Sequence, residues 1–180
     1  MSRAKREALA VALAALTCAG AFGAEIAEPD HGVKFAYDEA LWQAKIEDGA
    51  VLLECHADAC GGEDAECQGT TADNKSGQTK DRYFASFLDT YTKEIVDGFA
   101  TAHTHPVVVD QPARFMEDGV IVGLSSIRYT LDGKQRRAWI AQVPAQFGLI
   151  VLQCDAREER FVDAQAKWLD LVKALGKAKP

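Results

Sequence analysis

Three Asp-Gly pairs punctuate this chain, and each falls between two runs of strand-forming residues. Asp48-Gly49 separates LWQAKIE from AVLLECHA, and Asp118-Gly119 separates PARFME from VIVGLSSIRYTL. Asp132-Gly133 then separates that run from KQRRAWIAQV. Asp-Gly supplies the positive φ angles of a two-residue hairpin turn, so each pair predicts two antiparallel strands. A further strand, GLIVLQCD at 148–155, follows Pro144 with no room for a crossover helix. The fold class is therefore α+β, with a mainly antiparallel sheet of about six strands.

Two amphipathic helices complete the pattern. Between 81 and 102, Phe84, Phe87, Leu88, Tyr91, Ile95 and Phe99 recur at spacings of three and four, with Asp89, Lys93, Glu94 and Asp97 between them. Asp81 or Thr79 can cap its start. From about 158 to 175, Phe161, Trp168, Val172 and Leu175 form a second stripe, and Gly176 stands where a C-terminal cap belongs. Each stripe needs a partner surface, and the sheet is the available one. The stretch GGEDAECQGTTADNKSGQTK (61–80) reads as a long exposed loop.

The N-terminus sets the compartment. Arg3, Lys5 and Arg6 precede an uncharged run from Leu9 to Leu16, and small residues gather at Ala19-Gly20-Ala21 and again to Ala24. This is the layout of a secretory signal peptide over 1–21, with cleavage after Ala24 as the competing site. The competing reading is a buried or amphipathic N-terminal helix. The apolar run falls short of the roughly 20 residues of a membrane span. Ala15-Leu16-Thr17 before Cys18 fits a lipidation site poorly. Residues 22–180 then form one domain of periplasmic or secreted location, carrying 17 basic and 26 acidic residues and a net charge of −9. Such a charge repels phosphate backbones, which argues against nucleic acid as a partner.

In an exported chain, the four remaining cysteines, Cys55, Cys60, Cys67 and Cys154, argue for two disulfides. A zinc site wants two close pairs such as C-x2-C, whereas the spacings here are C-x4-C and C-x6-C. Glu63, Asp64 and Glu66 lack the alternation of a calcium loop. Strand phase puts Cys55 with Val51 and Leu53, and Cys154 with Ile150 and Leu152, both on core faces. This favours pairing Cys55 with Cys154 and Cys60 with Cys67. The rival pairing joins Cys55 to Cys60 and Cys67 to Cys154.

Other chemistry is thin. His103 and His105, two apart on an extended segment, point the same way and could ligate copper or zinc, with His56 as a third ligand if the fold delivers it. Against that stands a solvated helix exit before Pro106. Ser125-Ser126 in VGLSSI lacks a nucleophile elbow. Lys134, Arg136 and Arg137 read as a solvated hairpin tip, and Trp42, Trp139 and Trp168 as core. No catalytic or cofactor-binding constellation emerges, so the chain reads as a non-enzyme.

The ending LIVLQCDAREERFVDAQAKWLDLVKAL is a small and aliphatic strand, a short acidic turn, and a helix with an aromatic early and a Trp later. It resembles the closing strand and helix of the PsbP-like superfamily, which includes photosystem extrinsic proteins, a Ran-binding protein and bacterial DcrB-type periplasmic proteins. The element order over 31–175 is similar to that family, although the cysteine loop departs from it. The resemblance implies an α/β/α sandwich and an accessory, partner-binding role. The alternative function is a periplasmic metal-binding protein using His103 and His105.

Overall fold

Two of the three hairpins are closed by turns with the backbone their sequence asks for. Asp48 (φ 50°) and Gly49 (φ 80°), like Asp132 (φ 51°) and Gly133 (φ 75°), occupy the left-handed region in succession, the geometry of a type I′ turn. The computed structural model describes residues 23–100, 105–117 and 120–177. The signal segment 1–21, the Asp118-Gly119 pair and His103 lie outside these residues.

A short hairpin, β1 (Ala24–Ala27) with β2 (Lys34–Tyr37), precedes the main sheet. That sheet holds seven strands: β3 (Trp42–Glu47), β4 (Ala50–Cys55), β5 (Glu66–Asp73), β6 (Val107–Glu117), β7 (Val120–Leu131), β8 (Lys134–Pro144) and β9 (Gly148–Arg157). Their spatial order is β3-β4-β5-β9-β8-β7-β6, and every neighbouring pair is antiparallel. The helices are α1 (Lys80–Ala100) and α2 (Phe161–Lys177), the latter entered through a 3-10 turn at Glu158–Arg160. The Thr79 carbonyl accepts the Tyr83 N–H at 2.9 Å, so α1 starts at the predicted place. Gly176 falls inside the last turn of α2 rather than beyond it.

One expectation fails outright. Eight of the twenty residues of the supposed loop 61–80 form β5, and it lies between β4 and β9 in the middle of the sheet. Its sequence ECQGTTAD offers no large apolar residue, because its neighbours reach in to it. A Cβ on Gly69 would sit 2.4 Å from the Phe35 ring. Only glycine lets that fully buried phenylalanine lie flat on the strand. The carboxylate of Glu28, buried in the β1–β2 connection, accepts the Thr71 hydroxyl at 3.0 Å and the N–H of His31 at 2.9 Å. The hairpin is thus fastened to β5 by the Phe35 ring and the Glu28 carboxylate, and His31 adds a contact to Asp73 at 2.8 Å.

Side chains alternate across the sheet, and the buried ones fall into two groups. Trp139 and Ala141 of β8, with Leu152 and Cys154 of β9, pack with Phe161, Trp168 and Val172 of α2. Ile140 between them, with Ile127, Leu149 and Val151, packs with Phe84 and Leu88 of α1. The two helices therefore bury opposite faces. Trp168 has no exposed surface and meets Phe161 edge-on at 5.6 Å and Trp139 at 6.1 Å.

The position of β5 also decides the disulfides. They join Cys55 to Cys60 and Cys67 to Cys154, the rival pairing rather than the favoured one. Cys67 stands directly opposite Cys154 on adjacent strands. Cys55 lies on β4, two strand spacings from β9, or about 10 Å, which exceeds what one disulfide can bridge. Strand phase was read correctly, since Cys55, Cys67 and Cys154 share a face, but the intervening strand was not foreseen.

Non-reducing peptide mapping of the oxidised protein should recover the 55–60 and 67–154 linkages. Replacing both Cys67 and Cys154 by alanine opens an 87-residue separation and should cost about 4–5 kcal/mol in the chain-entropy account. The same change at Cys55 and Cys60 should cost about 2 kcal/mol. A 55–154 linkage, or equal losses in the two variants, would contradict this topology.

Candidate functional site

On the face opposite α2, α1 covers only the β9-to-β6 part of the sheet. The β3–β4–β5 part stays open, and its outward residues are mostly polar: Gln43, Lys45 and Glu47 on β3, Glu54 on β4, Glu66 and Gln68 on β5, with half-buried Leu52 of β4 among them. The register sets carboxylates side by side. Glu54 stands opposite Glu66, and Glu66 stands opposite Asp155. Like charges in directly opposed positions weaken a sheet, so this row lowers stability at a place where many residues would be tolerated.

Each end of the row is neutralised and the middle is not. Lys45 reaches Glu54 at 2.8 Å and Glu47 at 2.9 Å. Asp155 is buried, accepting from Arg136 Nε at 2.6 Å, again from Arg136 Nη2, and from the Tyr129 hydroxyl. Burial pushes the Asp155 carboxyl up, against the pull of Arg136 and Tyr129. Burial also works against the Arg136 charge, but Asp155 and Tyr129 hold its guanidinium above its usual range. Among the described residues Glu66 forms no ion pair. Desolvation by the surrounding chain raises its carboxyl above the ordinary carboxylate range, the charge of Asp155 raises it further, Arg136 pulls against them, and Glu54 and Glu47 add to the rise.

A cleft of about 500 Å³ opens over this row, walled by Glu54, Glu66, Arg136 and Asp155 and by the 56–65 segment. That segment is closed by the Cys55–Cys60 disulfide and tied to the sheet end by Arg157, which pairs with Asp64. Arg136 adds a bond from Nη2 to the Asp64 carbonyl at 2.6 Å. A second cleft of about 460 Å³ lies across the same segment, between Asp58, Glu63, Arg157 and Arg160.

In the basic tip Lys134 is exposed as expected, but the two arginines are not solvated. The Arg136 side chain is 12% exposed. Arg137 pairs with Glu158 at 2.6 Å and lies 4.3 Å above the Phe161 ring. Arg128 joins the same carboxylate at 2.7 Å, and these bonds draw the Glu158 carboxyl below its usual range.

The described histidines stand apart. His56 is exposed where β4 ends, and His105 is exposed just before β6. Five strand spacings separate β4 from β6, or about 24 Å, so His56 cannot complete a site with His105. His103 lies outside the described residues. Among the described residues, no group of three or more His, Cys, Asp or Glu side chains is placed to hold a metal ion. His31 is structural: it stacks on Phe147 at 3.9 Å and meets Asp73 at 2.8 Å. Ser126 donates to Asp110, and Ser125 is buried beneath α1. Neither serine has a histidine beside it in any contact of the described residues.

No protein-family model matches the chain, and no curated protein matches it by sequence. Solved structures do match. Cyanobacterial PsbP (CyanoP) from Synechocystis sp. PCC 6803 aligns over 83% of this chain and 89% of its own, with a TM-score of 0.61 at 13% identity. PA94 from Pseudomonas aeruginosa, a protein of unknown function described as a putative regulator, aligns over 88% of this chain and 98% of its own (TM-score 0.49, 10% identity). LpqN of Mycobacterium tuberculosis, involved in cell envelope biogenesis, aligns over 86% and 87% (TM-score 0.43, 12% identity). The order of strands and helices, the opposed burial of α1 and α2, and the likeness to CyanoP together give this chain a PsbP-like fold.

Proposed function

We propose that this chain is an exported, non-enzymatic accessory domain. In this reading it is a three-layer α/β/α sandwich that binds a protein partner through the uncovered part of its sheet. One observation carries the reading: Glu66 sits between Glu54 and Asp155 in direct cross-strand register on an open face. A domain selected for stability alone has no reason to keep that arrangement, whereas a cationic segment of a partner would relieve it. The two disulfides fit an oxidising compartment. None of the described helices is long and apolar enough to cross a membrane. The competing reading, a metal-binding protein using His103 and His105, has no observation among the described residues in its favour. Copper or zinc titration of wild type and of the double alanine variant would revive it through a saturable, histidine-dependent heat.

Export is tested by the intact mass of protein recovered from a periplasmic fraction. Ala24 is paired with Tyr37 in the first hairpin, so cleavage after Ala21 leaves β1 whole and the expected first residue is Phe22. Uncleaved protein would overturn the compartment.

The docking face is tested with an oligolysine peptide at low salt. Glu54→Gln with Glu66→Gln should weaken binding about tenfold. Glu94→Gln with Asp97→Asn on the exposed side of α1 changes the net charge equally and should leave binding nearly unaltered. Equal losses from the two pairs would show attraction to diffuse charge and would contradict the assignment.

Stability gives an independent check with a definite sign. The folded state holds the Glu66 proton more tightly than the unfolded chain does. Stability from this group is therefore fullest in acid and is lost as pH rises through the raised folded pKa. Glu66→Gln removes that loss. It should raise Tm by about 1–3 °C at pH 7 and by little at pH 4. A lower Tm at pH 7 would contradict the electrostatic account of the row.

A further inference from the structure

The contact between α1 and the sheet hides an amide with nothing to bond. Gln142 on β8 has no exposed surface, and among the described residues neither its Nε2 nor its Oε1 has a hydrogen-bond partner. Ser125 on β7 is its diagonal neighbour on the same face, since Gly123 stands opposite Gln142 and Ser125 opposite Ile140. The Ser125 hydroxyl is equally buried and equally unpartnered. Phe84 and Leu88 of α1 press onto this spot. A Cβ on Gly123 would lie 2.4 Å from Leu88, 2.9 Å from Gln142 Oε1 and 3.2 Å from Phe84. Closing α1 over the sheet thus strips water from an amide and a hydroxyl and returns no bond to either, an arrangement that costs far more than an apolar side chain of the same size would.

Among the described side chains of α1, Phe84 and Leu88 are buried against the sheet. At the start of the helix the Tyr83 hydroxyl donates to the Asp73 carbonyl at 2.8 Å, and Arg114 of β6 lies 4.8 Å above the Phe84 ring. Gly98 lies within the helix, where a glycine gives up more backbone freedom than any other residue.

We propose that α1 is a cover that lifts from the sheet as a unit while the rest of the domain stays folded. The unpartnered amide of Gln142 sets how often it lifts, because water reaches that amide only in the lifted state. The uncovered strip would carry Gln142 and Ser125 beside Gln153 and Gln68, which adjoin it on β9 and β5, so the polar open face would extend across the sheet.

Native-state hydrogen exchange of the disulfide-intact protein, read on peptides from 80–100 and 161–177, tests this directly. Amides of α1 should exchange at least about tenfold faster than those of α2 under conditions where the fold is intact. Gln142→Met and Gln142→Leu, which keep the volume and delete the unsatisfied amide, should slow α1 exchange by about tenfold and raise Tm, leaving α2 exchange tied only to the global change. Ser125→Ala should act in the same direction. Exchange of α1 at the rate of α2 in the unmutated protein would overturn the cover. So would faster α1 exchange, or a failure to fold, in both Gln142 variants, since either would show that the amide is bonded where it lies.

Discussion

The insertion of β5 between β4 and β9 is the constraint on which the rest of this structure depends. It joins the β3–β4 hairpin to the four-stranded β9–β8–β7–β6 meander, and without it the chain would present two separate sheets. Cys67 and Cys154, 87 residues apart in sequence, face each other across that seam. Phe35 lies on Gly69 and Glu28 takes the Thr71 hydroxyl, so the N-terminal hairpin is fixed to the same strand. Bringing such distant segments together costs loop-closure entropy, and a covalent bond between the two strands offsets it by restricting the unfolded chain.

The same insertion creates the candidate site. Glu66, the first residue of β5, is carried by the Cys67 register to a point between Glu54 and Asp155. Asp155 is satisfied because β8 and β7 present Arg136 and Tyr129 to it. Glu54 is satisfied by Lys45 from β3. The strand in the middle has no cation to offer, so Glu66 feels the charge of Arg136 but has no ion pair of its own among the described residues on the face that α1 leaves open. The two faces differ in kind. Beneath α2 the sheet meets an apolar layer centred on Trp168, and the α1 face mixes carboxylates, amides and a small apolar patch. That difference places an apolar layer on one side and a largely polar surface on the other.

Much of this architecture could be read from local pattern. Asp48-Gly49 and Asp132-Gly133 announce their turns, since the backbone they need is favoured by these residue types. The periodic spacing of Phe84 and Leu88, and of Phe161 and Trp168, marks two helices because a helix repeats its buried positions every few residues. The strand β5 was illegible for a physical reason. Its core-facing positions are Cys67, Gly69 and Thr71, and the apolar mass covering them comes from Phe35 rather than from the strand itself. With β5 missing, the disulfide pairing went to Cys55–Cys154. The site was illegible for the same reason: Glu54, Glu66, Asp155 and Arg136 sit far apart in sequence and meet only through register. Arg136 read as solvated because its partner lies 19 residues on, across a hairpin.

Residue-resolved amide exchange across 61–80 in the oxidised protein tests this centre of the account most directly. If β5 is an interior strand, the amides of 67–72 exchange as slowly as those of β8 and β9, while those of 75–79 exchange orders of magnitude faster. Uniformly fast exchange throughout 61–80 would return the segment to a loop, and with it would go the seam, the Cys67–Cys154 register and the carboxylate row.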